Sequence, residues 1–254
     1  MESGHTDILF LNRSFWPDIE ATGQFLTELC EALAAKYRVT VIAGYSYYVK
    51  NRDSGGCGFS SREEFKGIDI LRVLHTRFWK GNLLCRIINW LTYCLLSFFT
   101  ALKVKPKIII ACTDPPFLGI IAMALSKIKS MPYIYNCRDL YPDVAYGLGK
   151  LKQGNLAARL FEYLNRLSLR LADVVVCLGE SMKTRIVAKR VAEERVKVIS
   201  DWVDVVKIKP VAKNENPLRA KYGLQDKFVI MHSGNLGLSQ EFDSILQAVA
   251  ALES

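Results

Sequence analysis

The stretch Tyr133-Ile134-Tyr135-Asn136-Cys137-Arg138-Asp139-Leu140-Tyr141-Pro142-Asp143 decides the fold class of this chain of 254 residues. Its first five residues form a short, mainly apolar run, which is typical of a buried strand in a parallel sheet. The polar residues and the proline that follow require the chain to turn there. Open α/β sheets bind ligands at the carboxyl ends of their strands, so a turn with an arginine and two acids marks a candidate site.

The same alternation of a short apolar run and a helical segment repeats along residues 7–199. Parallel strands need crossover helices, so the pattern predicts an α/β fold: a Rossmann-like domain with a doubly wound parallel sheet flanked by helices. The predicted strands are 7–12, 38–43, 68–73, 107–112, 133–137, 173–177 and 196–199. The predicted helices include one capped by Thr22, one opened by Pro115-Pro116, and those at 83–102, 155–171 and 181–190.

Beyond residue 206 the sequence changes character. Residues 207–226 begin with a polar stretch that holds two prolines, and they are predicted to form a linker. Residues 227–232 predict a new strand, and a helix is predicted from Ser239 onward. One strand and one helix cannot bury a core, so we expect a complete N-terminal domain over 1–206 and a second Rossmann-like domain, truncated, over 227–254.

The composition narrows the classes of function. Half of the residues are hydrophobic and the formal net charge is +9, which favours an anionic partner such as a nucleotide diphosphate or an acidic lipid. The seven cysteines form no CxxC pair and are expected to be buried, reduced thiols. The first seven residues lack the basic and apolar regions of a signal peptide, so a cytoplasmic protein is expected.

Charge and hydrophobicity concentrate in the segment Arg77–Lys107. It contains six basic residues and no acidic one, and Ile87–Leu102 is a run of sixteen residues without charge. Crossing a bilayer takes about 20 residues, so a membrane span is not expected. An internal helix and an interfacial helix both remain open, and the basic flanks favour peripheral contact with an anionic membrane surface at the inner face of the cell membrane. Nucleic acid is not expected, because the basic residues adjoin an apolar helix.

Three turns that directly follow predicted strands carry side chains suited to a polyhydroxylated ligand. Carboxylates and guanidinium groups make charge-assisted hydrogen bonds to hydroxyls, and a glycine at a helix start lets a ligand approach the free N–H groups. Each turn also has a structural alternative: a purely structural turn around Gly23, a helix start with Asp114 near its positive end, and a surface ion pair of Arg138 with an aspartate. The candidate residues are Thr22, Gly23, Asp114, Arg138, Asp139 and Asp143.

The sequence also bears on cofactors and on the second domain. The dinucleotide fingerprint GxGxxG is absent, so neither a nicotinamide nor a flavin cofactor is expected. In the loop Ser233–Gly237, the backbone amides of Gly234, Asn235 and Gly237 are predicted to cradle a donor diphosphate. A purely structural glycine turn is the alternative for this loop.

Taken together, these motifs resemble the family 4 retaining nucleotide-sugar glycosyltransferases, in particular the bacterial enzymes that build surface polysaccharides. The resemblance rests on Phe15–Asp18, Ala21–Gln24, Asp114–Pro116, Arg138–Asp143, Ala172–Met182, Lys197–Ile199 with Trp202–Asp204 and Pro210, and His232–Gly237. It implies a GT-B fold, in which two Rossmann-like domains face each other across a cleft. The first domain would bind the acceptor and the second the nucleotide-sugar, with retention of anomeric configuration and no metal.

The resemblance also assigns roles to residues. Asp139 is the candidate catalytic residue, the other candidates of the first domain are acceptor-binding, and the acceptor is expected to be a lipid-linked glycan. Gln240 stands near the place of a basic residue in the family, and the acidic EX7E-type motif that grips the donor is expected beyond residue 254. This chain alone is therefore expected to be inactive. A nucleotide-sugar 2-epimerase of GT-B fold and a truncated, non-catalytic binding chain remain as alternatives.

Overall fold

One eight-stranded sheet organises the first part of the chain. The structure is a computed structural model that describes residues 6–46, 60–78, 82–149, 151, 154–234 and 242–252. The chain divides into two compact units, Met1–Asp201 and Trp202–Ser254. The predicted boundaries of domains and linker stay a prediction, since the two units divide five residues before the predicted end of the first domain.

The strands of the first unit run β3-β4-β2-β1-β5-β6-β7-β8 across the sheet. Every described neighbouring pair is parallel except β3 with β4. The predicted α/β class is confirmed, but the sheet is mixed instead of all-parallel. The strands are β1 (Ile8–Leu11), β2 (Val39–Gly44), β3 (Ser60–Phe65), β4 (Ile68–Val73), β5 (Ile108–Ala111), β6 (Tyr133–Cys137), β7 (Val174–Cys177) and β8 (Val196–Val198).

The edge strand β3 was not predicted from the sequence. Its residues, Ser-Ser-Arg-Glu-Glu-Phe, carry almost no apolar pattern, because an edge strand with one solvated side does not need one. The hairpin turn to β4 is formed by Lys66 and Gly67, both with positive φ, at 48° and 77°. Such a two-residue turn joins antiparallel strands, and it places Phe65 opposite Ile68.

The helices of the first unit cover both faces of the sheet. Alternate residues of β1 belong to two core clusters: Leu9 and Leu11 pack with α2, α3 and α5, whereas Ile8 and Phe10 pack with α1. Helix α1 therefore lies on one face, and α2, α3 and α5 lie on the other. The bounds are α1 (Ala21–Ala34), α2 (Leu83–Leu102), α3 (Leu118–Lys129), α4 (Asp143–Gly147), α5 (Leu156–Leu171) and α6 (Glu180–Ala188).

Two predicted helix starts are wrong. Thr22 does not cap α1: it lies within the first turn, and the N-cap is Glu20, whose side chain makes no capping hydrogen bond. Pro115 and Pro116 do not open α3, which begins at Leu118 after a turn. In both loops the side chains near the helix start bond across the sheet edge, and this competes with local capping.

The second unit contains two helices among its described residues, α7 (Pro217–Lys221) and α8 (Phe242–Leu252). The predicted strand over 227–232 does not form, and its apolar side chains, such as those of Phe228 and Met231, are exposed. A strand needs a neighbour to pair its backbone groups. No strand occurs among the described residues of this unit, so nothing there supplies that pairing.

The described cysteines are thiols that the fold largely hides. None of the described cysteines forms a disulfide. Cys85 is half-buried, and five are buried: Cys30, Cys94, Cys112, Cys137 and Cys177. Burial raises the pKa of the Cys112 thiol to about 12. Burial raises the pKa of the other four buried thiols as well, so these five stay protonated at neutral pH.

The contacts of Asp7, at the amino edge of the sheet, should make the stability of the fold sensitive to acid. The Lys107 ammonium lies 2.7 Å from Oδ1, the Arg38 backbone N–H donates to Oδ2 at 3.0 Å, and together they lower the pKa of Asp7 from 3.8 to about 2. Because the folded-state pKa is depressed, this carboxylate stabilises the fold above pH 3.8 and stops doing so as the pH falls to 2. We expect Asp7→Asn to lower the stability at pH 6 but not at pH 2, measured by urea unfolding.

Lys105→Gln is the control for this prediction, because Lys105 is exposed two residues from Lys107. It should not change the dependence of the unfolding midpoint on pH. An Asp7→Asn protein that loses the same stability at pH 2 as at pH 6 would contradict the assignment.

Candidate functional site

The site lies where the direction of the sheet reverses. The chain passes from β1 to β2 on one side and later from β4 across to β5 on the other side of β1. The loops after β1 and β5 therefore meet at the carboxyl edge, where open α/β sheets leave a crevice. Their backbones continue the strand pairing: Cys112 N donates to Leu11 O at 3.0 Å, and Arg13 N donates to Asp114 O at 2.7 Å.

Arg13 and Asp114 form the centre of the site. The guanidinium Nε lies 3.2 Å from Asp114 Oδ1, and Nη2 lies 3.1 Å from each carboxylate oxygen. The side chains retain only 13% and 21% of their exposure. Ser14 Oγ lies 2.6 Å from Asp114 Oδ2 and 2.8 Å from Glu20 Oε2. Asp114 is thus held by protein groups of the β1 loop, and it fixes the geometry of the crevice.

Asp139 follows β6 and lies beside this centre. Its backbone N–H donates to Thr113 Oγ1 at 3.3 Å, which joins the β6 loop to the β5 loop. Its side chain is exposed and accepts no hydrogen bond from the residues that the structure describes. Although the residue as a whole is exposed, neighbouring groups shield its carboxyl from part of the water, and this desolvation is the main reason why the pKa of Asp139 is raised; the Arg138 guanidinium opposes the shift and the Asp114 carboxylate adds to it. The carboxylate is therefore available to a ligand and more basic than an ordinary aspartate.

The Arg138 side chain contacts the last residue of the first unit and also helix α1. Its guanidinium pairs with Asp201, and its Cζ lies 5.0 Å from the centre of the Phe25 ring. The pair ties the β6 loop to the chain that follows β8. Arg138 thus reaches the same edge as Asp114 and Asp139, although its charge is already partnered.

Thr22 and Gly23 lie in the first turn of α1, beside the β1 loop. A Cβ on Gly23 would lie 3.4 Å from Asp18 Cβ and 3.5 Å from Phe15 N, so the helix packs closely on that loop. Thr27 Oγ1 donates to Gly23 O at 2.8 Å and accepts from Trp16 N at 3.2 Å. Gly23 is at the same edge as Asp114, and it is buried under the loop.

Asp143 forms an ion pair with a lysine of the same unit. Lys189, a buried lysine, places its Nζ 2.9 Å from a carboxylate oxygen of Asp143 and 2.9 Å from Oε1 of Glu162. This cluster joins α4, α5 and α6. The roles of Asp143 and of the other candidate residues in ligand binding stay predictions.

The predicted donor loop belongs to the second unit. Gly234 is described, whereas Asn235 and Gly237 lie outside the described residues. The His232 ring packs edge-to-face on Phe242 at 4.7 Å between ring centres. The role of Gly234, Asn235 and Gly237 in binding a diphosphate stays a prediction.

A cavity at the other edge of the sheet and the metal-ligating side chains of the described residues do not provide a second candidate site. A cavity of about 580 Å³ opens at the amino edge of the sheet, lined by Arg38, Thr40, Arg62, Glu63 and Asp69 among others. It lies at the edge opposite to Asp114, and charges within its wall already pair, Arg62 with Asp69 at 2.7 Å. No group of three or more His, Cys, Asp or Glu side chains suited to a metal occurs within the described ranges.

A family model connects this geometry to known proteins. The model, described as a glycosyl transferase 4-like domain, matches residues 21–202. This range includes α1, Asp114 and the whole β6 loop. The chain belongs to the glycosyl transferase 4-like family. The predicted family is thereby confirmed.

Curated relatives of this glycosyl transferase 4-like chain occur in bacteria. It is 25% identical over 254 residues to WcaI of Escherichia coli (strain K12), a glycosyl transferase named for colanic acid biosynthesis, and this covers 96% of the chain and 62% of WcaI. It is 24% identical over 151 residues to the glycosyltransferase WbjE of Pseudomonas aeruginosa, covering 59% of the chain and 38% of WbjE. The chain thus spans less than two thirds of each relative.

Solved structures support the fold. Anabaena Alr3699/HepE, solved in complex with UDP and glucose, matches with a TM-score of 0.60 at 18% identity, over 97% of this chain and 58% of that one. Sucrose-phosphate synthase from Thermosynechococcus elongatus matches with a TM-score of 0.65 at 12% identity, over 97% and 60%. At these identities the likeness shows the fold, which is that of GT-B proteins.

Three residues of the site in this glycosyl transferase 4-like domain were missed from the sequence: Arg13, Ser14 and Glu20. A signal was present, because Arg13 and Ser14 follow the first predicted strand as directly as Asp139 follows β6. Asp114, the ion-pair partner of Arg13, lies about 100 residues away in the chain, and the spacing of residues alone does not reveal that pairing.

Proposed function

We propose that this chain is the acceptor-binding part of a retaining glycosyltransferase, which transfers a sugar from a nucleotide-sugar to a glycan acceptor in the biosynthesis of bacterial surface polysaccharides. The observation that carries the proposal is the exposed Asp139 carboxylate beside the switch point of a glycosyl transferase 4-like domain. The relative WcaI is named for colanic acid biosynthesis, which supports the substrate class. HepE has been solved with UDP-glucose, which supports a nucleotide-sugar as donor.

The side chains of the site suit an acceptor sugar. Asp139 accepts a hydrogen bond from an acceptor hydroxyl, and its raised pKa makes it a better proton acceptor than an ordinary carboxylate. Asp114 and Arg13 hold the floor of the crevice in place without needing the ligand. The donor phosphates would be met by the loop at 233–237 and by groups outside residues 1–254. Residues 1–254 alone would then transfer no sugar.

In this proposal the acceptor is lipid-linked, and the protein binds it at the inner face of the cell membrane. Helix α2 supports this: by length and composition Leu84–Leu102 resembles a membrane span, with a mean hydropathy of 1.3, although Tyr93 and Ala101 pack it onto the sheet. Its outer side carries Leu84, Leu91, Leu95 and Phe99, all exposed. Basic residues without acids flank it from Arg77 to Lys107, so we propose that this segment contacts anionic lipid peripherally.

Activity tests the proposal directly. A protein that carries this chain followed by a complete second domain should transfer sugar from a nucleotide-sugar to an undecaprenyl-diphosphate-linked glycan, followed by mass spectrometry. Asp139→Asn should lower kcat about 100-fold, because proton acceptors contribute about 10²–10⁴. Glu194→Gln, at an exposed carboxylate of the short turn before β8, is the matched control and should not change kcat.

The alternatives give different results in the same assay. Interconversion of the nucleotide-sugar without any acceptor would favour a 2-epimerase. Absence of turnover by the longer protein with every nucleotide-sugar, together with retained glycan binding, would favour a binding chain. Turnover by residues 1–254 alone would contradict the placement of the donor groups.

A further inference from the structure

Helix α5 packs into the core through residues such as Leu169, but it also buries polar residues and exposes large apolar ones. Its polar residues Asn165 and Ser168 are buried, whereas leucines and a tyrosine on the outer side are exposed. The buried pair is satisfied, because Asn165 Oδ1 accepts from the Tyr135 hydroxyl at 3.4 Å and Ser168 Oγ donates to Asn165 O at 2.8 Å. The exposed outer residues are Leu156, Leu160, Tyr163 and Leu171.

These four residues form one stripe along the helix. Their spacing of four, three and eight residues returns to the same side at about 3.6 residues per turn. A stripe of large apolar side chains facing solvent is unusual for a monomer and marks an interaction surface. Packing in the core does not account for these apolar side chains, because α5 packs on the core through its opposite side.

Helices α2 and α5 lie in the same layer, on either side of α3. Phe117, at the start of α3, lies 6.2 Å from the Trp90 ring of α2 and 4.8 Å from the Phe161 ring of α5, measured between ring centres. Both helices begin at the carboxyl edge of the sheet, since each follows a loop of that edge. The outer stripes of α2 and α5 therefore belong to one face of the first unit and start beside the candidate site.

The charges around the α5 stripe have one sign. Arg159 and Arg170 are exposed next to it. Glu162 is the single acid between Asn155 and Leu171, and it is bound by Lys189 at 2.9 Å and by Arg166 at 3.0 Å. An apolar stripe with arginines at its side complements the interface of a bilayer that contains anionic lipids.

We propose that α5 is a second membrane-contact helix, and that α2 and α5 together form one docking face for an anionic phospholipid bilayer. The proposal rests on the membrane contact of α2 given above. It adds a second helix, which lies outside the segment Arg77–Lys107. Two helices on either side of Phe117 fix the orientation of the domain on the bilayer. The carboxyl edge with Asp139 is then held next to the lipid surface, where a lipid-linked sugar is found.

Co-sedimentation with phosphatidylglycerol vesicles tests the proposal on residues 1–254 and on the longer protein. Leu160→Glu in α5 and Leu95→Glu in α2 replace side chains of matched exposure, 57% and 56%, and each should weaken partitioning about tenfold. Tyr163→Glu, at 62% exposure, should do the same. Tyr37→Glu, at 49% exposure after α1 on the opposite face of the sheet, should leave partitioning unchanged.

A further variant and the comparison between the variants distinguish the possible outcomes. Leu160→Trp keeps the apolar character and should bind at least as well as the wild type, which distinguishes loss of contact from loss of fold. Unchanged binding of the α5 variants, with weaker binding of Leu95→Glu, would overturn the role of α5 and leave that of α2. Failure of the wild type to bind anionic vesicles would overturn both, whereas the transfer assay with a water-soluble acceptor would still test the enzymatic proposal.

Discussion

Asp114→Ala is expected to lower the free energy of unfolding by about 3 kcal/mol, because it leaves the Arg13 guanidinium largely buried without its bidentate partner. Arg13 retains 13% exposure of its side chain, so water does little to replace the two lost carboxylate contacts. Glu20, at 3.8 Å from Nη2, compensates only in part. Urea unfolding followed by circular dichroism measures the change, and the same variant should lose acceptor binding because the floor of the crevice relaxes.

The control for this prediction is an exposed ion pair in the same unit. Glu31→Ala removes the partner of Lys66, whose side chain is largely exposed, and should change stability by less than about 0.5 kcal/mol. The double variant Arg13→Ala with Asp114→Ala should be about 2 kcal/mol more stable than the sum of the single changes predicts. Additive losses would show that the two side chains do not depend on each other.

Gly119→Ala is expected to destabilise the fold by about 2 kcal/mol, although alanine is the better helix former. A Cβ at this position of α3 would lie 2.6 Å from Cε1 and Cζ of Tyr135. The Tyr135 ring is fully enclosed by the core, so it cannot move away, and overpacking of this kind costs about 1–3 kcal/mol. Thermal unfolding of the purified variant measures the loss.

Gly23→Ala is the matched control, since it makes the same substitution in another helix. Here the added Cβ meets its nearest neighbours at 3.4 and 3.5 Å, which are ordinary contacts. The change should stabilise the protein by about 0.5–1 kcal/mol through helix propensity. If the two variants unfolded at the same temperature, the close approach of α3 to Tyr135 would be contradicted.

The sequence was sufficient to predict which edge of the sheet receives the candidate residues that follow β5 and β6. Asp114, Arg138 and Asp139 directly follow buried strands, and parallel strands deliver the residues that follow them to one edge whatever their distance along the chain. The alternation of apolar runs and helices was equally sufficient for the fold class. These predictions succeeded because strand direction and burial are properties of short local segments.

The errors arose where distant partners decide the structure. Arg13, which was not among the predicted site residues, gains its role from Asp114, and no local pattern contains that pairing. β3 exists because β4 accepts its backbone hydrogen bonds, even though its side chains are polar. Residues 227–232 have the opposite property: their sequence favours a strand, and without a pairing neighbour among the described residues none forms.

The buried hydroxyl of Tyr93 holds α2 in one orientation on the sheet. It donates to Ile42 O at 2.8 Å, a carbonyl of β2, and so prevents α2 from rolling about its own axis. The outer leucines of α2 are therefore preorganised, and association requires no coil-to-helix ordering and little loss of conformational entropy. In the proposed contact with a bilayer, a preformed surface of this kind therefore binds more tightly than a segment that must first fold.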